Sequence, residues 1–213
     1  DLTKIVEAGA DLFGGLPYDR YLFIVHLAQG ARGGLEHSAS QSVGINPWRF
    51  KPEKKYREVL ALFSHEFFHV WNVKRLRPAA LLPYDYSREQ YTRLLWWFEG
   101  VTSYYDMLAL SRTGLVEPRR YVKHLVEELT TLDRTPGPGK MGLEEASLLA
   151  WVKHYRPDEN TGNSAVSYYL KGALVALALV VIAGAVAHRP LSAVPENAMK
   201  YAVGLLLSTF GVY

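Results

Sequence analysis

The stretch EKKYREVLALFSHEFFHVWNVKRLRP, residues 53–78 of the chain, has a regular apolar pattern. Its apolar residues recur every three or four positions, which is the pattern of an α-helix with one buried face. These residues are Tyr56, Val59, Leu60, Phe63, Phe67 and Val70. Because proline cannot continue a helix, the pattern predicts a helix that starts at Glu53 and ends before Pro78.

The same helix carries the strongest chemical pattern of the chain, HEFFH at residues 65–69. Residues four apart lie on one helical face, so His65 and His69 can reach one metal ion at about 2.0–2.1 Å, the usual zinc–nitrogen distance. Glu66 falls beside that ion, where a base takes the proton of the attacking water. The alternative is a helix whose two histidines are only half-buried and hydrogen-bonded.

A catalytic zinc needs a third protein ligand and an open fourth position. Glu99 is the best candidate because it follows three bulky aromatic residues, and burial beside them disfavours a carboxylate that has no cation nearby. Alternatively, Glu99 lies on a helix surface and pairs with Arg93. Ligating histidines also need hydrogen-bond acceptors, and both Ser103 and Asp106 are candidates.

The elements around this helix predict an α+β fold that is mostly helical, with a small sheet near the N-terminus. Residues 21–27 have the composition of a buried strand, and residues 35–40 that of a more exposed strand. Further helices are expected at residues 1–13, 91–110, 118–131 and 144–155. Gly100, inside one of these helices, permits close approach of a neighbouring helix or of substrate.

Composition limits the classes of function. The chain has 213 residues, enough for one domain, and a formal charge of +3 with scattered basic residues, which argues against nucleic-acid binding. It has no cysteine, so any metal must be held by nitrogen and oxygen ligands. No signal peptide is visible. We therefore expect a soluble bacterial-type protein of the cytoplasm or periplasm, with membrane association left open.

Three motifs together resemble one family of peptidases. HEFFH continues as WNVKRLRP over residues 71–78, GGLEH precedes it at residues 33–37, and EGVTSYY follows at residues 99–105. In this order, and over residues 1–175, the motifs resemble the M61 glycyl aminopeptidase family. That family belongs to the gluzincins, whose third zinc ligand is a glutamate, and is related to the M1 aminopeptidases.

The resemblance implies a thermolysin-like gluzincin catalytic domain over residues 1–172, with zinc (Zn2+) as its cofactor. It carries the ligand roles onto His65, His69 and Glu99. It carries the role of general base onto Glu66.

Two more roles are implied only by comparison with the M1 relatives. Those enzymes have a Gly-x-Met-Glu-Asn strand whose glutamate binds the α-amino group of the substrate. This makes Gly34 and Glu36 candidate substrate-binding residues, although His37 replaces the asparagine. The relatives also have a Tyr-x-Lys-Gly motif, whose tyrosine hydroxyl stabilises the oxyanion, and Tyr169 begins the same motif here. The alternatives are a solvent-facing strand glutamate and a core tyrosine, and Tyr168 is a rival donor.

The C-terminal segment, residues 173–213, does not follow the family pattern. Residues 173–187 carry no charge, and a second apolar run follows at residues 201–207. The first run is shorter than the roughly 20 residues that span a bilayer comfortably. Three interpretations of the segment therefore stay open: a buried core helix, a short membrane span, and a junction with unrelated sequence.

The motifs together predict zinc-dependent hydrolysis of peptide bonds by an aminopeptidase that releases small N-terminal residues such as glycine or alanine. The expected partner is a peptide with a free N-terminus, and residues 173–213 are the candidate for membrane contact. Three alternatives stay open. They are an endopeptidase of the same fold, an inactive or structural zinc module that acts in protein interaction, and a membrane-tethered endopeptidase fragment.

Overall fold

The computed structural model describes residues 1–191, and of residue 138 and residues 185–191 it describes only the backbone. The chain divides into two compact units, one built from residues 1–74 and 102–130 and the other from residues 75–101 and 131 onward. The described residues are mostly helical with a small three-stranded sheet, so the predicted α+β class is confirmed.

The first unit combines the sheet with the longer amphipathic helices. Its elements are α1 (Leu2–Phe13), β1 (Leu22–Leu27), β2 (Gly34–Glu36), β3 (Ser40–Ile45), a 3-10 turn (Pro47–Phe50), α2 (Glu53–Phe68), α3 (Val101–Arg112) and the start of α4 (Pro118–Arg134). Its core packs α1 and the sheet around α2, and the fully buried residues include Ile5, Val43, Val70 and Leu110.

The central strand of the sheet is one that the sequence does not predict. The strand order is β1–β3–β2, with β1 parallel and β2 antiparallel to β3. Because β3 reads SQSVGI, its serine, glutamine and glycine hide the strand signal. In the structure, buried and partly exposed residues nevertheless alternate along β3, and Gln41, Val43 and Ile45 are the buried ones.

The predicted strand at residues 21–27 exists as β1, but the prediction that it is buried is wrong. Leu22, Ile24, Val25 and Leu27 are between 38% and 58% exposed. The reason is that β1 lies at an edge of the sheet within the described residues, while α2 packs on β2 and β3. Phe23 is the residue of β1 that reaches the core.

The helix at the centre of the first unit ends earlier than predicted. It begins at Glu53, as expected, but ends at Phe68 instead of just before Pro78. After Phe68 the backbone tightens into turns, in which the carbonyl of His69 accepts hydrogen bonds from the N–H groups of both Val73 and Lys74. The apolar periodicity continues through these turns, so it could not reveal where the helix ends.

The second unit, as far as residue 191, is built from short helical elements and one helix of 24 residues. They are 3-10 turns (Ala79–Leu81 and Gly137–Gly139), π-helical segments (Trp96–Gly100 and Ala150–His154), α5 (Leu143–Leu148), α6 (Thr161–Ser164) and α7 (Tyr168–Leu191). A small core contains Met141, Ala146, Ala150, Val166 and Tyr168.

Two predicted helices are interrupted. The helix expected at residues 91–110 starts only after Thr92, whose hydroxyl accepts the N–H of Leu94 and so competes with helical hydrogen bonding. Its first turns form the π-helical segment 96–100. The helix expected at residues 144–155 is split into α5 and a π-helical segment at Leu149, which leaves helical geometry.

The apolar run at residues 173–187 belongs to α7, which continues through the predicted boundary between residues 172 and 173. Ala173, Leu174 and Ala176 are buried, whereas Leu179–Ile182 are exposed. Among the described residues, one helical stretch, Thr161–Gly184, is long and apolar enough to cross a membrane, a test that the core helix of a soluble protein can also pass. The domain boundary stays a prediction, and the second apolar run at residues 201–207 lies outside the described residues.

Candidate metal centre and active site

The two histidines of the HEFFH motif face each other in the first unit, as their spacing predicts. Their ring centroids are 4.8 Å apart and their planes are nearly perpendicular, at 83°. The side chain of His65 is 12% exposed and His69 is 1% exposed. Two imidazoles are thus held together in a mostly buried environment at the C-terminal end of α2.

The hydrogen bonds of the two rings fix their tautomers. Nδ1 of His65 lies 3.2 Å from Oδ2 of Asp106, and Nδ1 of His69 lies 2.7 Å from the backbone carbonyl oxygen of Asn72. Because a carboxylate and a carbonyl oxygen only accept, Nδ1 is the donor in both rings. This leaves Nε2 of each ring as the nitrogen that could bind a metal, and zinc-ligating histidines usually have this arrangement.

The sequence offers Ser103 and Asp106 as hydrogen-bond acceptors for the histidines, and in the structure Asp106 is the acceptor at His65. Its position is fixed from α2, since the hydroxyl of Ser64 donates to the backbone carbonyl of Asp106 over 2.9 Å. The acceptor at His69 is a main-chain carbonyl in the turn after α2, and no side-chain pattern could have revealed it. Burial raises the pKa of the Asp106 carboxyl, and its hydrogen bond with His65 opposes that shift.

Two titratable residues of α4, His124 and Glu128, interact electrostatically with Asp106, and the sequence does not predict this. Burial, and to a lesser extent the charge of Asp106, raises the pKa of Glu128 to about 7. Oε1 of Glu128 lies 3.5 Å from Nε2 of His124, one helical turn earlier on α4. In the sequence, the spacing of four residues between His124 and Glu128 is the pattern that indicates this pair. Such pairs are common on exposed helix faces, so the spacing does not point to the site.

Glu66 is buried, at 4% exposure, against the backbone of β2. A Cβ atom placed on Gly34 would overlap the side chain of Glu66, so the strand approaches the carboxylate as closely as a backbone can. The glycine of the GGLEH motif therefore has a steric role in the structure, beside the substrate-binding role that the family resemblance implies.

Glu36 lies on the same strand, close to the candidate base. Oxygens of Glu36 and Glu66 and a nitrogen of His69 lie within 4.8 Å of one another, a group that could also hold a metal ion. The Glu36 side chain is 19% exposed, and its Oε1 lies 3.2 Å from Nζ of Lys74. The alternative of a solvent-facing strand glutamate is therefore wrong.

Glu99 and Tyr169 belong to the second unit, in which the π-helical segment 96–100 packs against α7. Glu99 is half-buried on this segment. Burial raises the pKa of the Tyr169 hydroxyl, and the nearby charge of Glu99 raises it further. The rival Tyr168 is fully buried, its hydroxyl lies 3.3 Å from that of Tyr155, and its ring stacks on Tyr169. Tyr168 is therefore a core residue.

The rest of the Tyr-x-Lys-Gly motif has local structural roles. Nζ of Lys171 donates to the carbonyl of Met141 over 3.2 Å. A Cβ atom on Gly100 would lie 2.5 Å from Cα of Gly172, so these two backbones touch. The glycine predicted to permit close approach thus receives a neighbouring helix, α7.

Comparison with known proteins tests the resemblance inferred from the motifs. The sequence profile of M61 glycyl aminopeptidase matches residues 58–175, which is more than half of the chain. The chain belongs to the M61 glycyl aminopeptidase family. Membership confirms the predicted family and assigns the chain to a family of peptidases. A comparison with curated proteins gave no match.

A solved structure is similar to this M61 chain. It is the crystal structure of an aminopeptidase N family protein from Idiomarina loihiensis, with 40% sequence identity and a TM-score of 0.77. The similarity covers 84% of this chain and 31% of that protein. The M61 chain thus spans less than a third of the length of the protein it matches.

Proposed function

We propose that the chain is the catalytic part of a zinc-dependent aminopeptidase with a thermolysin-like gluzincin fold. The observation that carries this proposal is the pair of neighbouring histidines at the C-terminal end of α2, each with Nδ1 bonded to an acceptor. That donor set fits a zinc ion, because both Nε2 atoms are directed to ligation. His65 and His69 are two of the ligands. Glu99 is the third, because it begins the EGVTSYY motif and because the third zinc ligand of the family is a glutamate.

Zinc held there supplies Lewis-acid chemistry, since it polarises the scissile carbonyl and lowers the pKa of water towards about 7. Glu66 acts as the general base that takes the proton from the attacking water and later gives it to the leaving amine. Its burial against Gly34 holds the carboxylate in one place. The hydroxyl of Tyr169 donates to the developing oxyanion.

Glu36 is the proposed binding group for the N-terminal ammonium of a peptide substrate. Its carboxylate lies beside Glu66 and His69 on the strand that approaches the base, so a substrate held there presents its first peptide bond to the catalytic groups. Gly34 lets the same strand lie close to substrate. With the family description, this favours release of small N-terminal residues such as glycine or alanine.

The partner of the chain is then a peptide with a free N-terminus and not a nucleic acid, and a soluble location in the cytoplasm or periplasm is consistent with its composition. A second candidate function is a membrane-tethered endopeptidase fragment. The exposed apolar residues Leu179–Ile182 in α7 favour it.

Metal content and substrate selectivity test the proposal together. Purified protein should bind about one zinc per chain and should cleave glycyl and alanyl arylamides, but not their N-acetylated forms. Equal cleavage of free and acetylated substrates would favour the endopeptidase. Stoichiometric zinc without any hydrolysis would favour the structural zinc module.

Glu36→Gln should reduce activity mainly on substrates with a free N-terminus, and leave zinc content unchanged. The amide keeps the size and hydrogen bonding of the side chain but loses the charge-assisted bond, which is about twice as strong as a neutral one. The ratio of kcat/KM for free over acetylated substrate should fall by about tenfold or more. Glu7→Gln, an exposed position on α1, is the matched control. An equal loss on both substrates would contradict the assignment.

Asp106→Asn should weaken zinc binding by about 10- to 100-fold, the usual effect of losing a group that orients a ligating histidine. The asparagine can still accept from His65, but it lacks the negative charge that increases the basicity of the ring. Competition with a chelator of known affinity measures the change. Asp133→Asn, at an exposed position on α4, should bind zinc like wild type. Unchanged affinity in Asp106→Asn would show that the contact at 3.2 Å does not orient His65.

A further inference from the structure

Glu36, the proposed site for the substrate ammonium, already has a cation bound to it. Nζ of Lys74 lies 3.2 Å from Oε1 of Glu36, and the two side chains are 18% and 19% exposed. For comparison, the side chains of the Lys55–Glu58 pair on the surface of α2 are 48% and 36% exposed. The pair at Glu36 is therefore largely shielded from water, where an ion pair depends strongly on both partners.

The surroundings explain why a cation is held at this place. Glu36 and Glu66 bring two carboxylates within 4.8 Å of each other, and like charges at such a distance repel. Lys74 is attached to the turn that follows α2, since its backbone N–H donates to the carbonyl of His69 over 3.0 Å. The same turn thus positions one candidate zinc ligand and the ammonium that neutralises Glu36.

We propose that Lys74 is an internal competitor of the substrate, whose ammonium occupies Glu36 until the N-terminal ammonium of a substrate displaces it. This inference rests on the proposed role of Glu36 in the aminopeptidase. The ammonium of lysine and that of a peptide N-terminus are the same chemical group, with three donors and one positive charge. Two such cations on one carboxylate weaken each other's binding, which is negative coupling between the two.

The displacement needs no movement of the backbone. Lysine carries its charge on a flexible four-carbon chain, which lets the ammonium move away from Glu36 while the turn stays in place. A blocked N-terminus brings no charge with which to displace Lys74, and so leaves the ion pair intact. Lys74 thereby lowers the affinity of the site for free N-termini, because each such substrate must first displace its ammonium from Glu36.

Lys74→Met and Lys74→Arg test this competition in opposite directions. Methionine removes the competing charge, so KM for a glycyl arylamide should fall by about fivefold or more. Arginine holds a carboxylate with two parallel bonds, so the same KM should rise above the wild-type value. Lys55→Met removes an exposed lysine from a surface ion pair and should leave KM unchanged.

Calorimetry with glycinamide, a small free amine, separates this inference from the proposed activity. Lys74→Met should bind glycinamide about fivefold or more tightly than wild type, and N-acetylglycinamide should bind to neither. If no variant cleaves arylamides but this shift is present, the aminopeptidase fails and the competition stands. If wild type cleaves glycyl arylamides and Lys74→Met has an equal or higher KM, the competition is overturned. If Lys74→Met does not fold, Lys74→Arg provides the test by itself. An unchanged or lower KM in Lys74→Arg would then overturn the proposal.

Discussion

Glu66→Gln is expected to keep its zinc and to turn over substrate at least about a hundredfold more slowly than wild type, since general-base catalysis contributes 10²–10⁴. Glutamine has the shape of glutamate and fits the narrow space against Gly34, so the packing between β2 and α2 stays intact. What it loses is the ability to accept a proton from water. The change therefore separates chemistry from structure.

Single-turnover rates on a glycyl arylamide, together with zinc content, measure this effect. Glu53→Gln at the exposed start of α2 is the matched control and should behave like wild type. Loss of metal in Glu66→Gln would show that Glu66 is itself a ligand, as in the alternative group it forms with Glu36 and His69. Near-normal turnover would remove the peptidase mechanism.

His69→Ala is expected to lose stoichiometric zinc and, with it, all measurable hydrolysis. His69 is 1% exposed and its Nδ1 is held by the carbonyl of Asn72, so its Nε2 has a fixed direction. A three-ligand zinc site that loses one imidazole retains too few donors to compete with buffer for the metal.

Thermal unfolding with and without zinc distinguishes loss of metal from loss of fold. A ligand that binds only the folded state raises the unfolding temperature, so zinc should stabilise wild type but not His69→Ala. His69→Gln fills most of the same volume and should show the same loss if the fold of the alanine variant is damaged. His26→Ala, an exposed position on β1, is the control. Retention of one zinc per chain in both His69 variants would contradict the ligand assignment.

Local patterns predicted the elements that depend on local spacing. The helix from Glu53 and the facing histidines follow from the period of 3.6 residues, and the need for hydrogen-bond acceptors follows from the chemistry of ligating histidines. The exposure of β1 and the presence of β3 do not, because burial of a strand depends on which neighbours cover it. The period also failed to reveal the end of α2 at Phe68, since apolar spacing continues into the tight turns that follow.

Sequence reasoning missed two kinds of contact in the site. One kind involves main-chain groups, which no residue type reveals, and the other joins side chains that are far apart in the sequence. The acceptor at His69 is the main-chain oxygen of Asn72, which every residue type provides. The ion pair of Glu36 and Lys74 joins a strand to a turn beyond α2, and Lys74 looks in the sequence like one of several basic residues at a helix end. Pairings of this kind are set by tertiary packing, which no single-sequence pattern encodes.

The backbone contact between Gly100 and Gly172 limits which sequences the second unit can accept. Neither residue carries a functional group, yet any side chain at either position would push apart the segment that bears Glu99 and the helix that bears Tyr169. Mutational tolerance at these two positions is therefore determined by distance and not by chemistry. In a library of variants screened for activity, only glycine should survive at these two positions, just as only the native residue survives at a catalytic position. Even alanine, the smallest substitution available, should be eliminated.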